Sequence, residues 1–344
     1  MKKILITGAG SFIGTSFENY INNHPKSSEY EVSVMDTLTG RIVETGVTNK
    51  TGTDEASGSK DAQNDENSLN TDSSNSDSYK AWNFDGYDVV FHVAGIAHAD
   101  VGKVSEEGKE LYRKVNTELT IDVANKAKAA GVKQFIFMSS SIVYGASSKI
   151  GEKKVITKDT QPAPENFYGE SKLNAEKGLK NLAESSFKVV ILRPPMIYGQ
   201  GCKGNYNSLR KFALKLPLFP RVDNERSMLY VDNLCEFVRI MIDNEERGTF
   251  YPANAEYSNT SEMVRLIAAA HGRKVRLVGG FTWLLKIMSH FTGLVNKAFG
   301  SMSYSSDMAE YKDEYRVFSL EESIAATEKN IVPKKQKNNC AKLQ

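Results

Sequence analysis

A β-rich apolar run from Lys2 to Thr7 passes directly into Gly8-Ala9-Gly10-Ser11-Phe12-Ile13-Gly14, and then into a helical pattern through Phe17 and Tyr20 to Ile21. Strand, glycine turn and helix in that order leave few folds open. The glycines allow a tight turn and close approach of backbone amides to a pyrophosphate, which also meets the positive end of the helix dipole. Gly8, Gly10, Ser11, Phe12, Ile13 and Gly14 are therefore candidate dinucleotide-binding residues. A Gly-x-Gly triplet alone is often only a turn; its place after a first strand and at a helix start is what favours a dinucleotide. A second strand, Tyr30 to Met35, ends in Asp36. That is roughly 20 residues past the last glycine, where an acidic side chain accepts adenosine ribose hydroxyls and favours NAD over NADP. An aspartate at a strand end also serves as a turn or cap residue.

Strand-like and helical runs then alternate: Asp88 to Ala94, a helix about Tyr112 to Ala130, Gln134 to Ser139, a helix from Tyr168 to Glu184, and Lys188 to Leu192. Such alternation predicts an α/β fold with a doubly wound parallel sheet. One stretch breaks it. About residues 47–78 the chain is rich in Asn, Asp, Ser, Thr and Lys, with Leu69 nearly the only bulky apolar side chain. It cannot bury enough surface to offset its ordering entropy and reads as a disordered insertion. A third strand belongs near it and has no clear place in the sequence. From Pro195 the alternation stops and shorter elements follow. We expect a Rossmann domain over 1–194, a smaller C-terminal α/β substrate-binding part over 195–328, and a disordered tail over 329–344.

With 44 basic and 42 acidic residues, the chain as a whole has no footprint for nucleic acid. Cys202, Cys235 and Cys340 have no metal-binding spacing, so no metal is expected and a reduced, cytoplasmic protein fits best. The first core strand starts at Lys2, so no signal peptide is expected, and no apolar run reaches a membrane span. Phe281 to Phe299 reads as one amphipathic helix, carrying Trp283, Leu284, Ile287, Met288, Phe291 and Leu294. A core-facing helix is the plain reading; a weak membrane-surface contact, with Lys286, His290 and Lys297 toward headgroups, is the other.

The chemistry centres on Phe167-Tyr168-Gly169-Glu170-Ser171-Lys172. Four residues apart on a helix, Tyr168 and Lys172 share a face, and an ammonium there is expected to lower the phenol's pKa toward working pH. Tyr168 is then an acid/base for a carbinol proton. Ser140 follows a strand whose carboxyl end belongs to the ligand side of a parallel sheet. A hydroxyl there can meet the phenol over a substrate carbonyl.

Five ordered motifs carry a resemblance. They are the Gly8 to Gly14 turn, His92-Val93-Ala94-Gly95, Ser139 to Gly145, Tyr168 to Lys172, and Leu192-Arg193-Pro194-Pro195-Met196-Ile197-Tyr198-Gly199. Together they resemble the extended short-chain dehydrogenase/reductase superfamily, in its NAD-dependent epimerase/dehydratase branch acting on nucleotide sugars. The likeness runs from Ile4 to about Thr327 apart from the insertion. It implies Tyr168 as acid/base, Lys172 on the nicotinamide ribose, and Ser140 on the reacting sugar oxygen. Ala94, Gly95 and Pro195 would line the cofactor, and Asn116 would support the active-site strands. Arg226 would clamp a diphosphate, with a surface salt bridge as the plain alternative; Lys203 and Asn205 would reach the substrate or merely form a turn. Ser11 stands where the family has a glycine, and Met196 where many epimerases have an asparagine. The expected function is a UDP-hexose C4-epimerase of polysaccharide or cell-surface glycan biosynthesis, working with NAD as a homodimer. A 4-keto-sugar reductase using NADPH, or a dehydratase, is the alternative of the same fold.

Overall fold

The computed structural model describes residues 1–36, 42–44, 82–97, 104–291 and 293–329. The insertion about 47–78, Cys340 and the tail beyond Lys329 lie outside the described residues. Along the chain, β1 (Lys2–Thr7), α1 (Phe12–Asn23), β2 (Tyr30–Met35), β3 (Ile42–Glu44) and β4 (Val89–His92) are followed by α2 (Glu106–Tyr112) and α3 (Leu119–Ala129). Then come β5 (Gln134–Met138), β6 (Val155–Ile156), α4 (Phe167–Leu182), β7 (Lys188–Leu192), β8 (Met196–Tyr198) and α5 (Asn205–Lys215). The remainder comprises β9 (Leu218–Pro220), β10 (Met228–Tyr230), α6 (Val231–Asp243), β11 (Gly248–Phe250), α7 (Thr260–Ala270) and β12 (Arg276–Val278), then α8 (Thr282–Phe291), α9 (Gly293–Phe299), β13 (Ser303–Tyr304) and α10 (Leu320–Lys329).

Among the described residues, seven strands form the main sheet in the order β11-β7-β5-β4-β1-β2-β3. All pairs are parallel except β2 with β3, which is antiparallel. The strand that the sequence reading could not place is thus β3, a short edge piece of three residues. So short a run carries no periodicity, which is why it was invisible.

The strands are apolar on both faces because helices cover both. Ile4 and Ile6 pack with Phe17 and Ile21 of α1 and with α6, while Leu5 between them packs with Val123 and Ala127 of α3 and Leu179 of α4. Adjacent residues of one strand therefore feed opposite layers, the period-two rule of a pleated strand. Both α6 and β11 come from beyond residue 195, so the N-terminal unit draws on sequence from both sides of that point. The other strands form three two-stranded pairs, β10 with β8, β12 with β9 and β13 with β6.

Two helices differ from expectation. The helix placed about Tyr112 to Ala130 starts earlier, at Glu106, because Ser105 caps it by accepting the Gly108 N–H at 3.2 Å. Between α2 and α3 the chain forms a π-helical turn over Arg113–Glu118. The single helix expected over Phe281–Phe299 is two helices, the second opening at Gly293, a residue that weakens a helix interior.

Candidate active site

The glycine turn has the backbone that only glycine adopts cheaply: Gly8 at φ +98° and Gly10 at φ +71°. The Gly8 and Ala9 amides both donate to the Met35 carbonyl at 3.1 Å, stapling the turn to the end of β2 beside Asp36. A Cβ on Gly8 would lie 3.0 Å from the Ala94 nitrogen, so the turn touches the end of β4. Ser11, the departure from the family glycine, sits at φ −71° and ψ 147°, ordinary extended backbone. It caps α1, accepting the Gly14 N–H on Oγ at 3.1 Å. The substitution therefore introduces no strain and adds a cap. The first-turn amides of Phe12 and Ile13, for which helix geometry provides no intrahelical acceptor, are left for an anion. Pro195 is buried just past β7, and Gly199 beyond it approaches the Phe12 ring, a Cβ there lying 3.3 Å from Cζ. These features fit a dinucleotide.

Gly8→Ala is expected to cost about 1–3 kcal/mol, from strained backbone and the Ala94 contact. It should also weaken dinucleotide binding. Thermal denaturation with titration calorimetry checks this; a variant indistinguishable from wild type would remove the turn from the site.

At the next strand ends, Ser140 has extended backbone and caps the short turn Ser141–Tyr144. Asn166 caps α4, accepting the Gly169 N–H on Oδ1 at 2.9 Å. Gly169 lets this helix start abut the Ser140 turn, since a Cβ there would meet the Ile142 carbonyl at 2.9 Å. Tyr168 is thereby brought against Ser140. The expectation that Lys172 lowers the phenol's pKa is overturned: it is pushed up to about 12, by burial first, with hydrogen bonding from Ser140 pulling down and Tyr112 adding a smaller upward push. The reason is where the amine points. Lys172 Nζ donates to the Met138 carbonyl at 2.8 Å and sits 4.7 Å from the centre of the Phe137 ring. Burial lowers its own pKa to about 8, against a smaller upward pull from Glu176.

Lys172 also lies beside the end of β4, where a Cβ on Gly95 would be 3.2 Å from Nζ and 3.0 Å from Asn116 Oδ1. Asn116, on the π-helical turn, is fully buried and occupied by protein groups. Its Oδ1 accepts the Ile96 N–H at 2.8 Å, and its Nδ2 donates to the Ile96 carbonyl and to Ser171 Oγ. Asn116 thus clamps the β4 loop to α4, in line with the strand-supporting role that the resemblance implies, and both of its amide hydrogens are taken by protein groups.

Sequence reasoning assigned no role to three buried polar residues. His92 bridges Thr7 Oγ1 at 2.8 Å and Thr120 Oγ1 at 3.0 Å. Thr120 donates its own hydrogen to the Asn116 carbonyl, so His92 must donate from Nε2 and accept on Nδ1. Burial, with a smaller push from Lys172, lowers its pKa to about 3 and keeps it neutral. Glu176 pairs with Arg193 through two bonds of 2.9 and 2.5 Å and accepts from Ser139 Oγ at 2.5 Å. Burial pulls the Arg193 pKa down, but the bonds and charge of Glu176 outweigh it. Arg193 also donates to the Tyr144 hydroxyl at 2.6 Å. Arg193 lies inside a quoted motif and Glu176 one turn beyond Lys172, which is the only sequence signal they gave.

The proposed substrate residues lie in the C-terminal part. Arg226 is half-buried, its backbone bridged to Ser258, its Nη1 donating to the Ala298 carbonyl at 3.4 Å, and its pKa lowered by burial. Lys203 and Asn205 are exposed around the start of α5, and Met196 opens β8.

The model of the NAD dependent epimerase/dehydratase family matches residues 4–254. The chain is 38% identical over 218 residues to a UDP-glucose 4-epimerase of Vibrio cholerae, covering 62% of this chain and 63% of that one. It is 34% identical over 168 residues to an N-acetyl-alpha-D-glucosaminyl-diphospho-ditrans,octacis-undecaprenol 4-epimerase of Escherichia coli O157:H7, covering 47% and 48%. The alignments thus span less than two thirds of either relative. In fold it is similar to a UDP-glucuronic acid 4-epimerase of Bacillus cereus in complex with NAD, with a TM-score of 0.62 at 18% identity over 94% of this chain and 96% of that one. A dTDP-4-dehydrorhamnose reductase of Clostridium acetobutylicum gives a TM-score of 0.65 at 19% identity, covering 94% and 98%. A doubly wound sheet with its glycine turn, Ser140, Tyr168 and Lys172 gathered at the strand ends, and a family match across most of the chain lead to one conclusion: this protein belongs to the NAD-dependent epimerase/dehydratase family.

Proposed function

We propose that the protein is an NAD-dependent C4-epimerase of diphosphate-linked hexoses, with a UDP-hexose as the first substrate to test. We place it as a cytoplasmic homodimer serving polysaccharide or cell-surface glycan assembly. The observation that carries the reading is the convergence of Ser140, Tyr168 and Lys172 beside the glycine turn. The named activities of the two curated relatives support the reaction type.

When bound, NAD supplies a reversible hydride acceptor for the sugar C4. Tyr168 holds the proton that the C4 oxygen gives up and regains, and Ser140 hydrogen-bonds that oxygen. With its pKa pushed up to about 12, the phenol keeps its proton at working pH; the phenolate that would accept the C4 hydroxyl proton needs positive charge close by. Lys172, one helical turn away with its amine on the Met138 carbonyl, is the cation we assign to that task. Arg226 meets the diphosphate, with Lys203 and Asn205 beside it.

The test is turnover of UDP-glucose, UDP-N-acetylglucosamine and a polyprenyl-diphosphate-linked N-acetylhexosamine with NAD and no reductant. Interconversion of C4 epimers without NADH accumulation is expected for at least one. Stoichiometric NADPH consumption on a 4-keto sugar nucleotide, with no epimerisation in its absence, would make the protein a reductase. Asp36 supports the first outcome, since it follows β2 where the ribose hydroxyls belong. A 2′-phosphate beside it would cost about 1–3 kcal/mol, so NAD should bind roughly 5- to 150-fold tighter than NADP. Asp36→Ala should narrow that gap; equal affinities in the wild type would remove Asp36 from the ribose site.

A further inference from the structure

The core-facing reading over Phe281–Phe299 holds for Val295 and Phe299 but not for Trp283, Leu284, Ile287 and Met288, while the side chains of Phe291 and Leu294 lie outside the described residues. Phe281, Trp283, Leu284, Ile287 and Met288 are 46%, 64%, 39%, 49% and 43% exposed, while Leu285 packs on the core. A helix bearing this much apolar surface on several sides belongs under cover. The patch continues sideways. β12 pairs with β9, placing Arg276 opposite Leu218, and runs through Gly279 and Gly280 into Phe281. Phe212, Leu216 and Leu218, on the end of α5 and in β9, are themselves 40%, 38% and 55% exposed. Phe212 lies tilted against Phe219, ring centres 5.9 Å apart, and the buried Phe219 against Phe299 at 5.8 Å, joining α5 to α9.

Charge decides what covers this face. From Met263 to Ser306 the chain carries no Asp or Glu, and its charged residues are Arg265, Arg273, Lys274, Arg276, Lys286 and Lys297. From Ser185 to Val222 there is again no acid, and Lys211 and Lys215 flank Phe212. The two segments that expose the apolar side chains thus carry cations and no acid of their own, and the neighbouring acids Glu262 and Glu328 are paired with Arg265 and with Arg210 and His271. Lys211, Lys215, Arg273, Lys274 and Arg276 are all exposed. Exposed apolar and aromatic side chains on segments whose own charges are all positive match the interface of an anionic bilayer, where the rings enter the headgroup layer and the cations meet lipid phosphates. At ten residues α8 is too short to span, so it would lie in the surface.

We propose that this face docks the protein reversibly on an anionic membrane surface. The proposal does not depend on the reaction assigned above. Docking also sets the substrate part against the bilayer, because α9, the neighbour of α8, receives the Arg226 side chain on its Ala298 carbonyl.

The full chain is tested by co-sedimentation with vesicles of phosphatidylcholine alone and of phosphatidylcholine with phosphatidylglycerol, and by the emission of Trp283, since Trp82 is buried. Binding to the anionic vesicles only, weakened by salt, with a blue shift in emission, is expected. Lys274→Ala and Arg276→Ala should each lower affinity about fivefold. Ile287→Glu with Met288→Glu should abolish binding and the blue shift while the melting temperature and cofactor affinity hold. Absence of binding to anionic vesicles, or binding that survives the double Glu variant, overturns the proposal. So does a dimer that the double Glu variant splits, which would give this face to a second copy of the chain.

Discussion

Tyr168→Phe is expected to lower turnover by about 10²–10⁴-fold with cofactor affinity near that of the wild type, because the change removes the transferable proton and leaves the ring. The ring itself is a packing element, edge-on to Tyr112 at 6.1 Å, and phenylalanine preserves that contact. Turnover by purified protein and a cofactor titration separate the two effects; a variant retaining most of its rate would end the assignment. The pH profile adds a second check. The Lys172 pKa lies near 8, below the ordinary lysine value, because burial disfavours the ammonium. Below pH 8 the amine is charged and able to stabilise a phenolate; above it the charge is lost, so the rate should fall as pH rises through about 8. In Lys172→Met that limb should vanish along with most of the activity. A profile in the variant that still falls at pH 8 would attribute the limb to another group.

Glu176→Ala is expected to destabilise the fold by about 3–5 kcal/mol, more than any exposed ion pair could. Glu176 is fully buried and Arg193 is 4% exposed, so removing the carboxylate leaves a guanidinium with neither water nor a counter-charge. The exposed Arg265–Glu262 pair makes the comparison, since breaking it should cost about 0–1 kcal/mol. Glu176→Gln keeps the shape and part of the bonding and should fall between them. Denaturant titration measures all three, and a Glu176→Ala variant as stable as the surface control would show that the pair contributes nothing. The function should suffer as well, since Glu176 holds Ser139 next to Ser140, and Arg193 holds Tyr144 four residues on.

Much of this could be read from sequence because its causes are local. Glycine after a first strand, the alternation of strand and helix, and the spacing of Tyr168 and Lys172 all follow from backbone geometry and side-chain period, which a short window contains. The glycines at positive φ, the six parallel strands and the placing of Tyr168 at the start of α4 agree with that reading. What the sequence could not hold is which groups meet across distance, and how much water each one loses. The partner of Lys172 is a carbonyl 34 residues back, so the phenol is raised where spacing alone predicted a fall. Glu176 and Arg193 become one buried pair only when α4 packs on β7. Whether the apolar side chains of α8 face the core or solvent was equally open from their pattern, since period gives the face and only tertiary packing gives what covers it. Desolvation and pairing are properties of the assembled strand ends, and they set the charge state of the site; the chain order alone set where those ends would be.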